Sequence, residues 1–286
     1  MEIKRIAVMG SGTMGNGIAQ VAAMSGYEVV MRDVDDKAIG RGLELISRSL
    51  ARFTKSGKLT DQQALDVRDR ITTTTDLQAA LDAADYVMEA IPEILDLKQA
   101  LFKQMDELAP PGLILGTNTS QLSITSIAAA TKHPERVIGT HWFNPPVMMR
   151  LIEVVKGVET SEETLQTTLD LCQKLGKETV VCRDSQGFIT SRAIMAFRLE
   201  CIRILEEGIA TKEDIDKAIK LGFNHPMGPF ELSDFNGLDI GYHSALAMTE
   251  VFGERFRPPM IYRTMINAGR LGRKTGKGWY EYDQKS

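Results

Sequence analysis

His141 and Glu153 are the residues in this chain best placed to perform acid–base chemistry. His141 lies near the end of one apolar run, Val137 to Phe143, and Glu153 lies in the middle of another, Leu151 to Val155. Both runs are short and bounded by turn signals, so they read as buried strands. Asn144 to Arg150, with Pro145 and Pro146, supplies the bend between them. Antiparallel pairing symmetric about Val147 sets His141 directly opposite Glu153, within cross-strand reach. A carboxylate in an apolar strand needs a partner, because an unpaired buried charge costs several kcal/mol. An imidazole is such a partner, and a carboxylate that orients a histidine is half of a general-base device. A purely structural His–Glu pair is the competing reading.

A second constellation opens the chain. Lys4 to Met9 reads as a strand, Gly10, Gly12 and Gly15 give a strict G-x-G-x-x-G, Met14 to Ser25 reads as an apolar helix, and Glu28 to Asp33 as a second strand. That context lets the pattern bind a dinucleotide. Gly10 makes the tight turn, Gly12 lets the backbone approach a pyrophosphate, and Gly15 lets the helix pack on the strand. The free N–H groups of the helix start then face the phosphate charge. Asp33, 23 residues after Gly10, offers a carboxylate to a ribose and repels a 2′-phosphate, which favours NAD over NADP, with neighbouring Arg32 pulling the other way. A glycine-rich turn without a nucleotide is the alternative.

These residues need a frame. Further strands are expected at 71–75, 85–91, 113–118 and 179–182, with helices between them that include 93–108 and 162–175, the latter capped by a Thr160/Glu163 box and closed by Gly176. The pattern is α/β: a doubly wound, mostly parallel Rossmann-type nucleotide-binding domain over residues 1–184, with one antiparallel pair late in the sheet. Residues 185–286 read as an all-α domain. A helix over 186–208 is apolar on nearly every side, which suggests burial on more than one face and a homodimer interface.

Nearly forty residues separate the second and third strands, far more than an ordinary crossover. Residues 36–70 read as a helical hairpin, with apolar positions at 39, 43, 46, 50 and 53 and a second helix capped by Thr60 and Gln63. Arg41, Arg48, Arg52 and Lys55 share a narrow arc of the first helix. Such a stripe suits the phosphates of a large anionic substrate, or is simply a solvated charged face.

Composition is that of an ordinary enzyme. Of 286 residues 25% are charged, and the net charge of −4 gives no reason to expect a nucleic-acid or anionic-membrane partner. The first strand opens by Ile3, so no signal or transit peptide is expected, and no apolar run approaches a membrane span. Cys172, Cys182 and Cys201 have neither metal-ligand spacing nor an even count, so they read as reduced core residues of a cytoplasmic protein, and no metal site is expected.

Together with GSGTMG, the segments EAIPEILDLK (89–98), TNTSQLSI (117–124), GTHWFNPP (139–146), LIEVV (151–155), NHPMGP (224–229) and GRKTGKG (272–278) make the chain resemble the short, single-function bacterial-type L-3-hydroxyacyl-CoA dehydrogenases along essentially its whole length. The THWFNPP and NHPMGP blocks are specific to that family. The resemblance implies NAD-dependent oxidation of (S)-3-hydroxyacyl-CoA, 3-hydroxybutyryl-CoA foremost, to 3-ketoacyl-CoA and the reverse, as in fatty acid β-oxidation and butanoate metabolism. It implies a catalytic His141–Glu153 dyad with Ser120 and Asn144 in the active site. It further implies cofactor contacts from Gly10, Gly12, Thr13, Met14, Gly15, Asp33, Glu93, Lys98, Asn118, Ser120 and Asn144, with Glu93 and Lys98 beside the nicotinamide half. Substrate contacts are implied for Ser120, His141 and Ser191, and for Arg52 and Lys55 in a hairpin that contributes to coenzyme A binding. The C-terminal helices are expected to dimerise.

One position departs from the family. Asparagine usually follows Gly-Phe-Ile-x there, and GFITSR places Ser191 instead, which bears on acyl specificity rather than reaction type. Two alternatives stand beside this reading. One is a related dehydrogenase of a non-CoA hydroxy acid, of gulonate or carnitine type, which the basic stripe disfavours. The other is a non-catalytic NAD-binding protein like a lens crystallin, which the intact Ser120, His141, Asn144 and Glu153 set disfavours. His133, His225 and His243 are read as structural.

Overall fold

The computed structural model describes residues 2–82 and 84–283. They form two compact units that divide between Phe188 and Ile189. In the first, strands and helices follow in the order β1 (Arg5–Met9), α1 (Thr13–Met24), β2 (Glu28–Arg32), α2 (Asp36–Lys55), α3 (Asp61–Asp69), β3 (Ile71–Thr74), α4 (Leu77–Asp82), β4 (Tyr86–Glu89), α5 (Leu95–Leu108), β5 (Ile114–Thr117), α6 (Ile124–Ala128), β6 (Val137–Trp142), β7 (Leu151–Lys156), α7 (Glu162–Lys174) and β8 (Glu178–Arg183). The strands make one sheet in the order β3-β2-β1-β4-β5-β6-β7-β8. Every pairing is parallel except β6 with β7.

Period-two alternation along the strands builds two cores, one on each face. Ile6, Val8, Ile138, Ile152 and Val154 pack with apolar residues of α1, α2, α3 and α7. Ala7, Met9, Val87, Leu115, Val137 and Val155 pack with α4, α5 and α6 on the other side. This is the doubly wound arrangement, and the strand order reverses between β1 and β4. Ligands of such sheets bind at that reversal, beyond the carboxyl ends of the strands.

The long crossover is a helical hairpin. In α2, Ile39, Gly42, Ile46, Ser49 and Leu50 are buried, while Arg41, Arg48, Arg52 and Lys55 point to solvent. A capping box of Thr60 and Gln63 starts α3. Two local readings need correction. The cap of α7 is Ser161, which accepts the Thr164 N–H at 3.1 Å, while Thr160 turns inward and donates to the Val137 carbonyl at 2.7 Å. And α5 starts at Leu95, leaving Glu93 in the loop.

The second unit is helical: α8 (Thr190–Glu206), α9 (Lys212–Phe223), α10 (Pro229–Asn236), α11 (Leu238–Phe252) and α12 (Met260–Asn267). Met195, Leu199, Phe230, Leu238, Met248 and Tyr262 are among its core residues. The helix expected from residue 186 begins at Thr190, because Gly187 (φ 74°) and Phe188 (φ 47°) hold left-handed backbone that no α-helix can include. No helix among the described residues is long and apolar enough to cross a membrane.

Candidate active site

The β6–β7 register pairs His141 with Glu153, and their side chains leave the sheet on the same face. His141 Nδ1 lies 2.6 Å from Glu153 Oε2, with the imidazole 7% and the carboxylate 0% exposed. An ionised carboxylate only accepts, so Nδ1 carries the proton in this contact and the lone pair of a neutral ring belongs to Nε2. Phe143 and Phe188 flank the imidazole, with ring centroids 4.5 and 5.8 Å away. The result is an oriented base in a largely apolar setting, with one nitrogen held and the other available for proton transfer.

Loops at the carboxyl ends of β1, β4 and β5 lie on the same sheet edge. Gly10 (φ 98°) turns sharply beneath Ala90; a Cβ on Gly10 would sit 2.7 Å from the Ala90 carbonyl oxygen. A Cβ on Gly15 would sit 1.8 Å from the Gly10 oxygen, so α1 can start only with glycine there. Above Gly12 there is open space, with nothing within 4 Å of a Cβ, and Thr13 and Met14 begin α1 beside it. This bare helix start is where a pyrophosphate fits. Asp33 stands at the end of β2, where Oδ2 accepts the Ser11 N–H at 2.7 Å and the Ser11 hydroxyl at 2.6 Å, and Oδ1 accepts the Val34 N–H at 2.7 Å. Partial burial pushes its carboxyl up, but the Ser11 and Val34 hydrogen bonds and the Arg32 charge outweigh that and hold it below the usual carboxylate range. The loop therefore fits a dinucleotide: room for phosphates, donors at a helix start, and an ionised acceptor for a ribose.

Glu93, Asn118 and Ser120 gather between these two parts. Glu93 Oε1 accepts the Thr119 hydroxyl at 2.6 Å, the Ser120 N–H at 2.9 Å and the Ser120 hydroxyl at 3.3 Å. Asn118 Oδ1 accepts the Trp142 N–H at 3.0 Å, tying the β5 loop to the residue after His141. Lys98 is fully buried; its Nζ donates to Glu89 at 2.6 Å and to the Asn118 carbonyl at 3.0 Å, with Glu93 at 3.8 Å. Asn144 is exposed at the head of the bend.

Two models of protein families match the chain: the NAD-binding domain of 3-hydroxyacyl-CoA dehydrogenase over residues 5–185, and its C-terminal domain over residues 187–282. The chain belongs to the 3-hydroxyacyl-CoA dehydrogenase family. It is 43% identical to a probable 3-hydroxybutyryl-CoA dehydrogenase of Bacillus subtilis, with all of both chains covered. It is 41% identical to the mitochondrial hydroxyacyl-coenzyme A dehydrogenase of Rattus norvegicus, over 98% of this chain and 91% of the rat protein. The crystal structure of an (S)-3-hydroxybutyryl-CoA dehydrogenase from Ralstonia eutropha superposes with a TM-score of 0.96 at 40% identity, covering 99% of this chain and 100% of that one. The chain is thus an NAD-dependent oxidoreductase of this family.

As a member of the dehydrogenase family it places its remaining candidates as follows. Arg52 and Lys55 are exposed on the last turns of α2, whereas Arg48 of the same stripe is paired with Glu44 at 2.5 Å. Ser191 lies in the first turn of α8, in the second unit. Sequence reasoning missed three contributors. Ser11 holds Asp33; Gly42 lets α2 press on the glycine loop, since a Cβ there would lie 2.7 Å from the Ser11 carbonyl oxygen; and Glu89 partners Lys98. Only Glu89 left a readable signal, a carboxylate closing the apolar strand YVME. The cysteines are poor nucleophiles: burial pushes Cys172 up to about 12, and burial with nearby carboxylates pushes Cys182 and Cys201 to about 11.

Proposed function

We propose that the substrate of this chain is a short (S)-3-hydroxyacyl-CoA, 3-hydroxybutyryl-CoA foremost, interconverted with its 3-ketoacyl-CoA through His141 and Glu153. The observation that carries this reading is the 2.6 Å Nδ1–Oε2 pair, buried on the sheet edge that also carries the dinucleotide loop. His141 Nε2 accepts the proton of the substrate 3-hydroxyl. Glu153 keeps the ring oriented and stabilises the imidazolium that forms. Ser120, rotating its hydroxyl away from Glu93, steadies the substrate oxygen near the base, and Asn144 completes the polar wall. NAD, when bound, would supply the hydride acceptor for C3, the carbon that bears the substrate hydroxyl and keeps its oxygen as the ketone. In reverse, His141 returns the proton to the developing alkoxide. Arg52 and Lys55 meet the phosphates of coenzyme A.

Steady-state oxidation of NADH with acetoacetyl-CoA tests the reading. Turnover with the thioester and little with free acetoacetate is the expected result. Turnover only with free hydroxy or keto acids would move the chain to a non-CoA relative, and NADH binding without turnover would make it non-catalytic.

The same reading makes the protein a cytoplasmic homodimer assembled through residues after about 184. Leu221, Phe223, Phe235, Ile240 and Met260 of the second unit are 59–77% exposed, an apolar surface that a lone chain leaves in water. Sedimentation at micromolar concentration should show a species of twice the chain mass. A stable, fully active monomer would overturn it.

Ser191 sets acyl preference in this reading. Serine offers one short hydroxyl where asparagine offers an amide donor and a carbonyl acceptor with longer reach. A water that bridges the gap keeps short substrates turning over at a small entropic cost. If the space instead serves a bulkier acyl chain, Ser191→Asn should reduce kcat/KM for longer or branched 3-ketoacyl-CoA and leave that for acetoacetyl-CoA unchanged or improved. Identical chain-length profiles for the two proteins would mean that this position does not touch the acyl group.

A further inference from the structure

Glu89 ends β4 at the point where the strand order reverses, and its side chain is fully buried. Three donors converge on it: Lys98 Nζ and the Ile91 N–H on Oε1, each at 2.6 Å, and the Thr117 hydroxyl on Oε2 at 2.5 Å. Its own carbonyl accepts the Asn118 N–H at 2.7 Å. Two loops are thereby fixed to one residue: 90–93, which lies over Gly10 and carries Glu93, and 118–120, which carries Asn118 and Ser120. Lys98 extends the link, since the ammonium that Glu89 holds also donates to the Asn118 carbonyl at 3.0 Å.

We infer that Glu89 is a positioning residue for the dinucleotide: its carboxylate locks the β4 and β5 loops in the arrangement that receives the nicotinamide half. That Glu93 lies beside that half and that Asn118 and Ser120 touch the cofactor rests on the family resemblance and on the proposed function above. Burial pushes the Glu89 carboxyl up, against the Lys98 charge and the Thr117 and Ile91 donors. A buried pair is a poor source of stability compared with apolar side chains of equal volume, so stability alone does not call for one here. A core of Leu and Val would fill the space, but it would not tie two loop backbones and a lysine to one point.

The test measures NADH affinity by equilibrium binding to the intact protein, which needs no acyl substrate and so is independent of substrate identity. Glu89→Gln keeps the shape but offers one acceptor and one amide donor to three donors. NADH should bind about tenfold more weakly or worse. If Glu89→Gln does not fold, Thr117→Val removes only the Oε2 bond and should weaken NADH by about threefold, in line with one hydrogen bond of ordinary worth. A purely structural pair predicts a lower Tm with unchanged NADH affinity in whichever variant folds, and that result would overturn the inference.

Discussion

Replacing His141 with alanine is expected to lower kcat by about 10²–10⁴, the usual worth of a positioned general base. NADH affinity should barely change, because the dinucleotide loop and Asp33 lie on other strands and make no hydrogen bond to the imidazole. A fall in kcat and in kcat/KM together would mark an interaction made in the transition state. Glu153→Gln separates orientation from charge. The glutamine carbonyl can still accept Nδ1–H, so the ring keeps its direction, but the imidazolium loses its counter-charge. A charge-assisted hydrogen bond contributes about 1.5–3 kcal/mol, so kcat should drop by roughly ten- to a hundredfold. Single-turnover rates measured with saturating NADH check both variants. If Glu153→Gln turns over at the wild-type rate, the pair is merely structural.

That pairing was readable from sequence because the hairpin is symmetric: fixing the bend at Asn144–Arg150 fixes the register, and period-two alternation puts both side chains on one face. The same logic applied to Glu89 would have found a second buried carboxylate, but its partner Lys98 lies in a helix nine residues on, and lysine is seldom fully buried. Local chemistry misled at Thr160, where two adjacent hydroxyl residues compete for one cap and the tertiary demand of the Val137 carbonyl decides. The Arg48–Glu44 pair follows the i, i+4 rule and weakens the phosphate reading of the stripe at that one position.

Backbone and long-range approach were out of reach. Nothing in the letters GFITSR announces a phenylalanine at φ 47°, a conformation that costs about 1–3 kcal/mol and persists only where packing enforces it. Phe188 is 5% exposed, in the core that also holds Val155 and Ile124, and that packing sets its ring beside His141. Gly42 likewise reads as an unfavourable residue inside a helix until Ser11 is seen against it. Both belong to contacts between segments distant in sequence, which periodicity cannot encode.

Cofactor discrimination turns on Asp33, and the wild-type protein should use NAD(H) with kcat/KM about 10³ above that for NADP(H). Like charges about 4 Å apart at an effective dielectric near 20 repel by ~4 kcal/mol, which is about a thousandfold in affinity. Ser11 and Val34 donate three hydrogen bonds to the carboxylate, which keeps it ionised and in place to face a 2′-phosphate. Arg32 is the group that could offset this repulsion. Its Nε donates to the Thr75 carbonyl at 3.3 Å, so the side chain is drawn toward the end of β3. Asp33→Asn removes the charge and keeps the size. It should cost about 10–100-fold in kcat/KM for NAD(H), the worth of a charge-assisted bond to the ribose, and should raise activity with NADP(H). The two cofactors then come within about tenfold of each other, because the repulsive half of the discrimination is gone. Paired kcat/KM values for both cofactors in both proteins decide it. Comparable values in the wild type would show that the Arg32 guanidinium swings away from Thr75 and neutralises the phosphate itself.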